Sequence, residues 1–413
     1  MKFKRFLSVV LIVLLAAAMF AAGWYLKDVN DGTDNLLSAL TNASSDAAPN
    51  NAPTETVEET EATEAVEKPD SITMAIYPYV SNIQLFQEVL TEMWAEMEPD
   101  VELQFIDWNC YSDPYPNNID VITYDALFLE HLVESGYLQP LNVDEVIDTS
   151  DIIPFAMEGA HYQDELYGLP FLVCSSFLMY EKDDTALDQV QNFAQLCKEL
   201  AARRAKDPSE GLFSGFMDEV PFLYLDAYID YTGEYTTYEH GPMMTPPDEK
   251  IVSRLMEMKA NLAPVPEGES YQSAFSQGLG SACYAYSEAL YFMDDFVDNL
   301  TIRSISFFEG ENIQMFYADL ASLCSHVTDP VKKEYCMKLI NLIGSEEFLT
   351  QLVYGTGDVQ FMLPAREQVY LTAMEQYPIY ETLHTLAMDE NNRIFRFGTE
   401  IYDYKNLASV AFR

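Results

Sequence analysis

The sequence predicts an α/β protein in two lobes with a ligand cleft between them. Three observations carry this. The chain has 413 residues, 49% hydrophobic and 22% charged, enough to bury a large core and long enough that more than one lobe is the default. From residue 71 onward, strand-like alternation and helix-like period follow one another in turn, the pattern of a sheet covered by helices. Finally, "YGLPFLVCSSFLMYEKDD" at 167–184 reads as a hinge strand that leaves one lobe for the other and faces the cleft.

The elements follow in order. "SITMAIYPYV" alternates as a strand, "NIQLFQEVLTEMWAEME" has helical period, and "VELQFIDW" is a second strand. "IDVITYDALFLEHLVESGYL" reads as a buried strand running into a helix. Strand, helix, strand, helix predicts a parallel sheet. After the hinge stretch, "LDQVQNFAQLCKELAARR" is predicted as one helix and residues 214–290 as mixed structure. "TIRSISFFEG" and "NIQMFYADLASL" read as strands, and "DPVKKEYCMKLINLIGSEEFLTQLV" as one helix with proline near its start. The expected lobes are about 71–175 with 320–413, and about 176–319.

Ahead of this body stand two other segments. Residues 1–27 carry a basic start (Lys2, Lys4, Arg5) and an apolar run from Phe6 to about Tyr25. This is an export signal. Ala16, Ala17 and Ala18 offer a cleavage site, while the length of the run equally suits an uncleaved membrane anchor. Residues 28–70 are rich in Ala, Thr, Glu, Pro and Asn and poor in large apolar residues, a composition that stays disordered and makes an acidic tether. The bulk of the protein is therefore expected outside the cytoplasm, secreted or held at the cell surface.

Lys and Arg number 22 against 67 Asp and Glu, a formal charge of -45. Such a chain repels nucleic acid and attracts cations, although solvation alone also accounts for much of the charge. Six cysteines in an exported chain permit disulfides but show no C-x-x-C pair, and five scattered histidines argue against a zinc site. No metal or cofactor is expected.

Cys174, on the hinge strand, is either a small buried hydrophobe or, if a base lowers its pKa, a nucleophile. Glu288 stands in "ACYAYSEALYF", either as a solvated helix residue or as a carboxylate whose apolar surroundings raise its pKa toward that of a general base. Tyr77 and Tyr79 follow the first strand, where ligands collect in open α/β sheets. Tyr111, Asp125, Tyr317 and Asp319 sit at or near other strands. Tyrosine faces with carboxylates make a cage for a flat cationic heterocycle, although with 27 tyrosines any one of them serves as readily in packing.

The order of elements is similar to the type II periplasmic-binding-protein fold over roughly 71–400. "YPY", "DWNCYSDPYPNNIDVITYDALFLEHLVESGYLQPL", "IIPFAMEGAHYQDELYGLPFLVCSSFLMY", "YAYSEAL" and "FYADL" together resemble the thiaminase I (thiamine pyridinylase) family. The resemblance implies Cys174 as nucleophile and Glu288 as its acid/base partner. It implies a substrate site of Tyr77, Tyr79, Tyr111, Asp125, Tyr271, Tyr286, Tyr317 and Asp319, with Tyr271 the loosest match in spacing. The implied partners are thiamine and a small amine or thiol, acted on by a monomer without cofactor. A solute-binding protein for a cationic small molecule, or a tethered adhesion module, would share the fold or the tether. Only the enzyme needs the Cys174 and Glu288 pair, which pure binding does not require.

Overall fold

The structure is a computed structural model that describes residues 67–77, 80–215, 220–233, 246–310 and 313–401. The export segment, most of the tether and Tyr79 lie outside the described residues. The folded body holds two principal sheets.

The larger sheet is built from β1 (Ser71–Ile76), β2 (Glu102–Asp107), β3 (Val121–Asp125), β6 (Gly168–Cys174), β11 (Met315–Leu323), β12 (Leu363–Pro364) and β13 (Arg393–Ile394). Its order is β12-β6-β11-β3-β1-β2, with β13 paired to β11. The smaller sheet has the order β10-β7-β9-β8, from β7 (Ser176–Glu181), β8 (Leu212–Ser214), β9 (Ala282–Tyr286) and β10 (Leu300–Arg303). A short hairpin of β4 (His161–Tyr162) and β5 (Glu165–Leu166) precedes β6.

The chain passes between sheets twice. The first passage is a single residue, Ser175, between β6 and β7; the second is the segment between β10 and β11.

The larger sheet is mixed rather than parallel. β1 runs parallel to β2 and β3, as expected for strands joined by helical crossovers. β11 lies antiparallel to β3 and β6. It arrives from the other lobe, so no crossover helix fixes its direction. All nine of its residues are buried, which makes it the centre of the core.

Two expected helices are shorter than the sequence suggests. The first begins at Phe193, because the Asn192 side chain accepts from the Gln195 N–H and caps it. The helix expected over 329–353 ends at Ile343 and restarts at Glu346 under a Ser345 cap. Gly344 makes the break: a Cβ there would overlap the Leu169 side chain on β6, so the backbone approaches the sheet where only glycine fits. All six cysteines are free thiols, and Cys174 alone is not fully buried. Among the described residues no helix is long and apolar enough to cross a membrane, and no group of side chains is placed to hold a metal ion.

Candidate active site

Strand register assembles the site. Cys174 ends β6 and pairs with Tyr317 on β11, while Asp319, two residues further along β11, pairs with Asp125 at the end of β3. Directly opposed residues on neighbouring strands bring their side chains close enough to interact. Tyr77 follows the last residue of β1, at the same edge of the sheet. The smaller sheet supplies the other wall. Ser176 pairs with Tyr286 at the end of β9, and Glu288 sits in the 3-10 turn that follows.

Aromatic contacts tie the walls together. The Tyr77 and Tyr111 rings lie 5.8 Å apart, and Tyr286 meets Tyr317 edge-on at 6.3 Å. Tyr317 stacks on Phe395 at 5.0 Å. The Tyr111 hydroxyl donates to Asp125 at 2.5 Å, and the Leu127 N–H donates to the other Asp125 oxygen at 2.9 Å.

The electrostatics follow from burial. Desolvation raises Asp125 to about 6, held there against its two donors. Asp319 is pushed well above the carboxylate range by burial, then by the charges of Asp125 and Glu288. Of the two facing carboxyls, Asp125 thus ionises first and Asp319 keeps its proton. Burial brings Glu288 to about 7, moderated by its own N–H and by the Ser287 hydroxyl. The Cys174 thiol is raised well above its ordinary value by burial, and further by Glu288, Asp319, Asp125 and Asp226. The resting site therefore holds a protonated thiol beside a carboxyl poised near neutrality, in a pocket that favours positive charge.

Tyr271 is placed differently. It opens the short helix Tyr271–Ser276, which packs against β8, β9 and the turn of Glu288. Its hydroxyl lies over Gly215, 2.8 Å from where a Cβ would stand. Its link to the site runs through that turn rather than the strand edge.

Two site residues escape the sequence reading. Asp226, on the helix Val220–Thr232, is raised to about 8 by burial and by Asp230. Its Oδ1 is buried without a hydrogen-bond partner. With Asp230, Tyr284 and Gln314 it lines a small recess, and Gln314 donates to Ser175 Oγ at 2.6 Å, next to Cys174. Phe395 follows a two-residue strand and backs Tyr317. Among the other thiols, Cys110 and Cys283 are fully buried where Cys174 is not; burial raises both, with Asp125 and Asp319 adding to it at Cys110.

Comparison with known proteins places this arrangement. Residues 112–382 match a family described as bacterial extracellular solute-binding protein. Thiaminase-1 of Paenibacillus thiaminolyticus is 35% identical over 348 residues, which is 80% of this chain and 84% of that protein. The solved thiaminase I from Bacillus thiaminolyticus superposes with a TM-score of 0.74 at 34% identity, over 83% of this chain and 100% of the other. Clostridium botulinum thiaminase I in complex with thiamin gives 0.77 at 30% identity, over 83% and 98%. Identity of this extent across nearly the whole folded body, on a two-lobed solute-binding scaffold, makes this chain a member of the thiaminase I family.

Proposed function

We propose that this chain degrades thiamine as a transferase, with Cys174 as nucleophile, Glu288 as acid and base, and an amine or thiol as the second substrate. What supports the chemistry is that Ser176, two residues past Cys174, pairs with Tyr286, two residues before Glu288, which brings the one incompletely buried thiol and a carboxyl held near neutrality to neighbouring strand ends.

The resting thiol is hard to ionise first because it is buried, and then because Glu288, Asp319, Asp125 and Asp226 lie near it. Thiamine changes that balance. Its thiazolium brings a fixed positive charge among Asp125, Asp319, Glu288 and Asp226, which offsets the field and lowers the cost of a thiolate. Tyr77, Tyr111, Tyr286 and Tyr317 supply aromatic faces and edges for a flat cation. Asp319, holding its proton, donates to the aminopyrimidine, and ionised Asp125 accepts from it. The contact from Asp319 draws electron density from the ring, and the contact to Asp125 orients it.

Glu288 then takes the thiol proton, and the sulfur bonds to a carbon of the pyrimidine ring. Electrons displaced by that bond flow toward the bridging methylene. The bond from methylene to thiazolium nitrogen breaks, its electron pair leaves with the ring, and thiazole departs neutral. The methylene is now electrophilic; Glu288 gives the thiol's proton to solvent, and the amine or thiol bonds to the methylene as its own proton passes to Glu288, which later returns it to the departing cysteine. The bond from sulfur to ring carbon breaks last and returns the cysteine. One chain carries every group used, so a monomer suffices.

The family's extracellular description and the basic, then apolar N-terminus support action outside the cytoplasm. The acidic stretch that follows supports a surface tether. The test is direct. The purified ectodomain is incubated with thiamine and an aromatic amine, and free thiazole is followed by mass spectrometry. Tight thiamine binding with no cleavage under any amine or thiol would leave a solute-binding protein and overturn the enzymatic reading.

A further inference from the structure

The turn that carries Glu288 makes a contact that the reaction as written does not use. Tyr291 lies three residues on, in the same 3-10 turn Ser287–Phe292 that follows β9 of the smaller sheet. Its hydroxyl donates to Asp358 Oδ2 at 3.0 Å. Asp358 belongs with the larger sheet: it stands in the segment between the turn Gln351–Gly355 and β12. β12 pairs with β6 through Leu363 to Val173 and Pro364 to Leu172. One step further, that register sets Met362 beside Cys174. A single hydrogen bond thus joins the turn of Glu288 to the segment that runs into the strand beside Cys174.

A bond between two side chains near the surface is commonly worth little, because both partners swing freely. Asp358 does not. Gln360 is fully buried, and its Nε2 donates to the Asp358 carbonyl and to the same Oδ2, both at 3.1 Å. This leaves Gln360 Oε1 buried without a hydrogen-bond partner, a cost of the kind that calls for a use. The Gln360 N–H donates to the Val353 carbonyl at 2.9 Å, and the Gln360 carbonyl accepts from the Ser81 hydroxyl at 3.2 Å. Ser81 precedes Asn82, the cap of the helix Ile83–Met97, and lies four residues past Tyr77. Phe361, next in line, holds a φ of 54°, a left-handed backbone that a bulky residue keeps only where its surroundings impose it. The segment is a stiff bracket, fixed at Val353, Ser81 and β12, that presents one carboxylate oxygen to the wall of Glu288.

We propose that Tyr291 and Asp358 form a latch over the bound substrate, and that Tyr291 is through it a positioning residue for Glu288: their bond holds the two walls together and keeps the base within reach of Cys174. The proposal rests on Cys174 and Glu288 being nucleophile and base. A bond that holds a cleft shut acts on escape rather than on entry, so losing it speeds release of thiamine and leaves association nearly as it was.

The experiment compares Tyr291→Phe, Asp358→Ala, the two together, and Asp358→Asn, which keeps an acceptor for Tyr291. Each is made in the full chain and again with Cys174→Ser, where thiamine binds without reacting. Stopped-flow tyrosine fluorescence gives association and release rates in the Cys174→Ser set, and kcat and KM with an aromatic amine are measured in the other. Tyr291→Phe and Asp358→Ala should each speed release about 3–10-fold, with association within about twofold. The double change should do no more than the larger single one, since both remove the same bond. Asp358→Asn should stay within about twofold of its parent, because an amide oxygen still accepts from the phenol. In the reacting chain kcat should fall roughly 2–5-fold as Glu288 drifts from Cys174, which a loss of uniform binding would not cause. Tyr291→Phe removes one oxygen from a partly exposed ring and should melt with its parent, which keeps the test open if Asp358→Ala disturbs the segment. Unmoved release in Tyr291→Phe, or effects that add in the double change, would overturn the latch. Normal cleavage with unmoved release would remove the latch alone. Release that shifts as expected in a chain that cleaves no thiamine would uphold the latch and overturn the reading of Cys174 and Glu288.

Discussion

Cys174 sits at the end of a buried strand, one residue from the passage between sheets. Replacement by serine should lower thiazole release by at least about 10³-fold while thiamine binding stays within a few-fold, since a hydroxyl is scarcely ionised near neutral pH. Stopped-flow release and equilibrium titration would check the two halves separately. Asp319→Asn keeps the shape but loses the ionisable proton. The specificity constant should fall roughly 10–100-fold, the range for one charge-assisted hydrogen bond, and an unchanged constant would remove Asp319 from the site. Most of these residues were legible because each breaks a local rule: a thiol in a cleft strand, a carboxylate in an aromatic run, tyrosines just past strand ends. Asp226 breaks none. With Asp230 it forms an i, i+4 pair that reads as a solvated helix face, and only tertiary packing turns that face toward Cys174. Phe395 follows a strand of two residues, too short to show a period.

At the scale of elements, the sequence marked where strands and helices lie better than which way they run. β11 is buried along its length and pairs on both sides, yet nothing local says that it returns antiparallel between β3 and β6. Helix ends were missed where a glycine or a cap interrupts an otherwise continuous apolar period, as at Gly344 and Asn192. Asn192→Ala should cost about 1 kcal/mol through loss of its cap, measurable by urea denaturation. A larger effect is expected at the junction after β12. Arg366 is buried there, donates to the Gly344 and Asp148 carbonyls, and pairs with Asp151. It fixes the helix Glu367–Ala373, which follows β12, to the broken helix behind β6. Arg366→Ala strands buried carbonyls and a carboxylate, and should destabilise by roughly 3 kcal/mol. A loss below about 1 kcal/mol would mean that the junction is held by packing alone.

For the whole molecule, charge decides both rate and stability. A net charge of -45 draws a cation toward the cleft, so the specificity constant for thiamine should fall with added sodium chloride while kcat stays nearly constant. Burying carboxyls strains the resting fold at neutral pH. Asp125, Glu288 and Asp226 sit near 6, 7 and 8, above their ordinary 3.8, 4.5 and 3.8. Each binds its proton more tightly folded than unfolded. Their contribution is therefore fully present below those ordinary values and is lost as pH rises through 6 to 8. Asp226→Asn should raise the melting temperature by about 2–5 °C at pH 8 and leave it unchanged at pH 4, as calorimetry would show; equal shifts at both would mean that the carboxylate is not strained. The acid ring around Cys174 has a consequence beyond the reaction. A thiolate exposed to air and peroxide is soon oxidised to sulfenic acid or capped. An exported enzyme has no cytosolic reductant to restore it. Between turnovers burial, reinforced by the neighbouring carboxyls, keeps this sulfur protonated and chemically dull, and the arriving cation arms it. The shelf life of the enzyme and its appetite for thiamine thus come from one set of charges: neutralising that ring should leave the idle thiol quicker to perish.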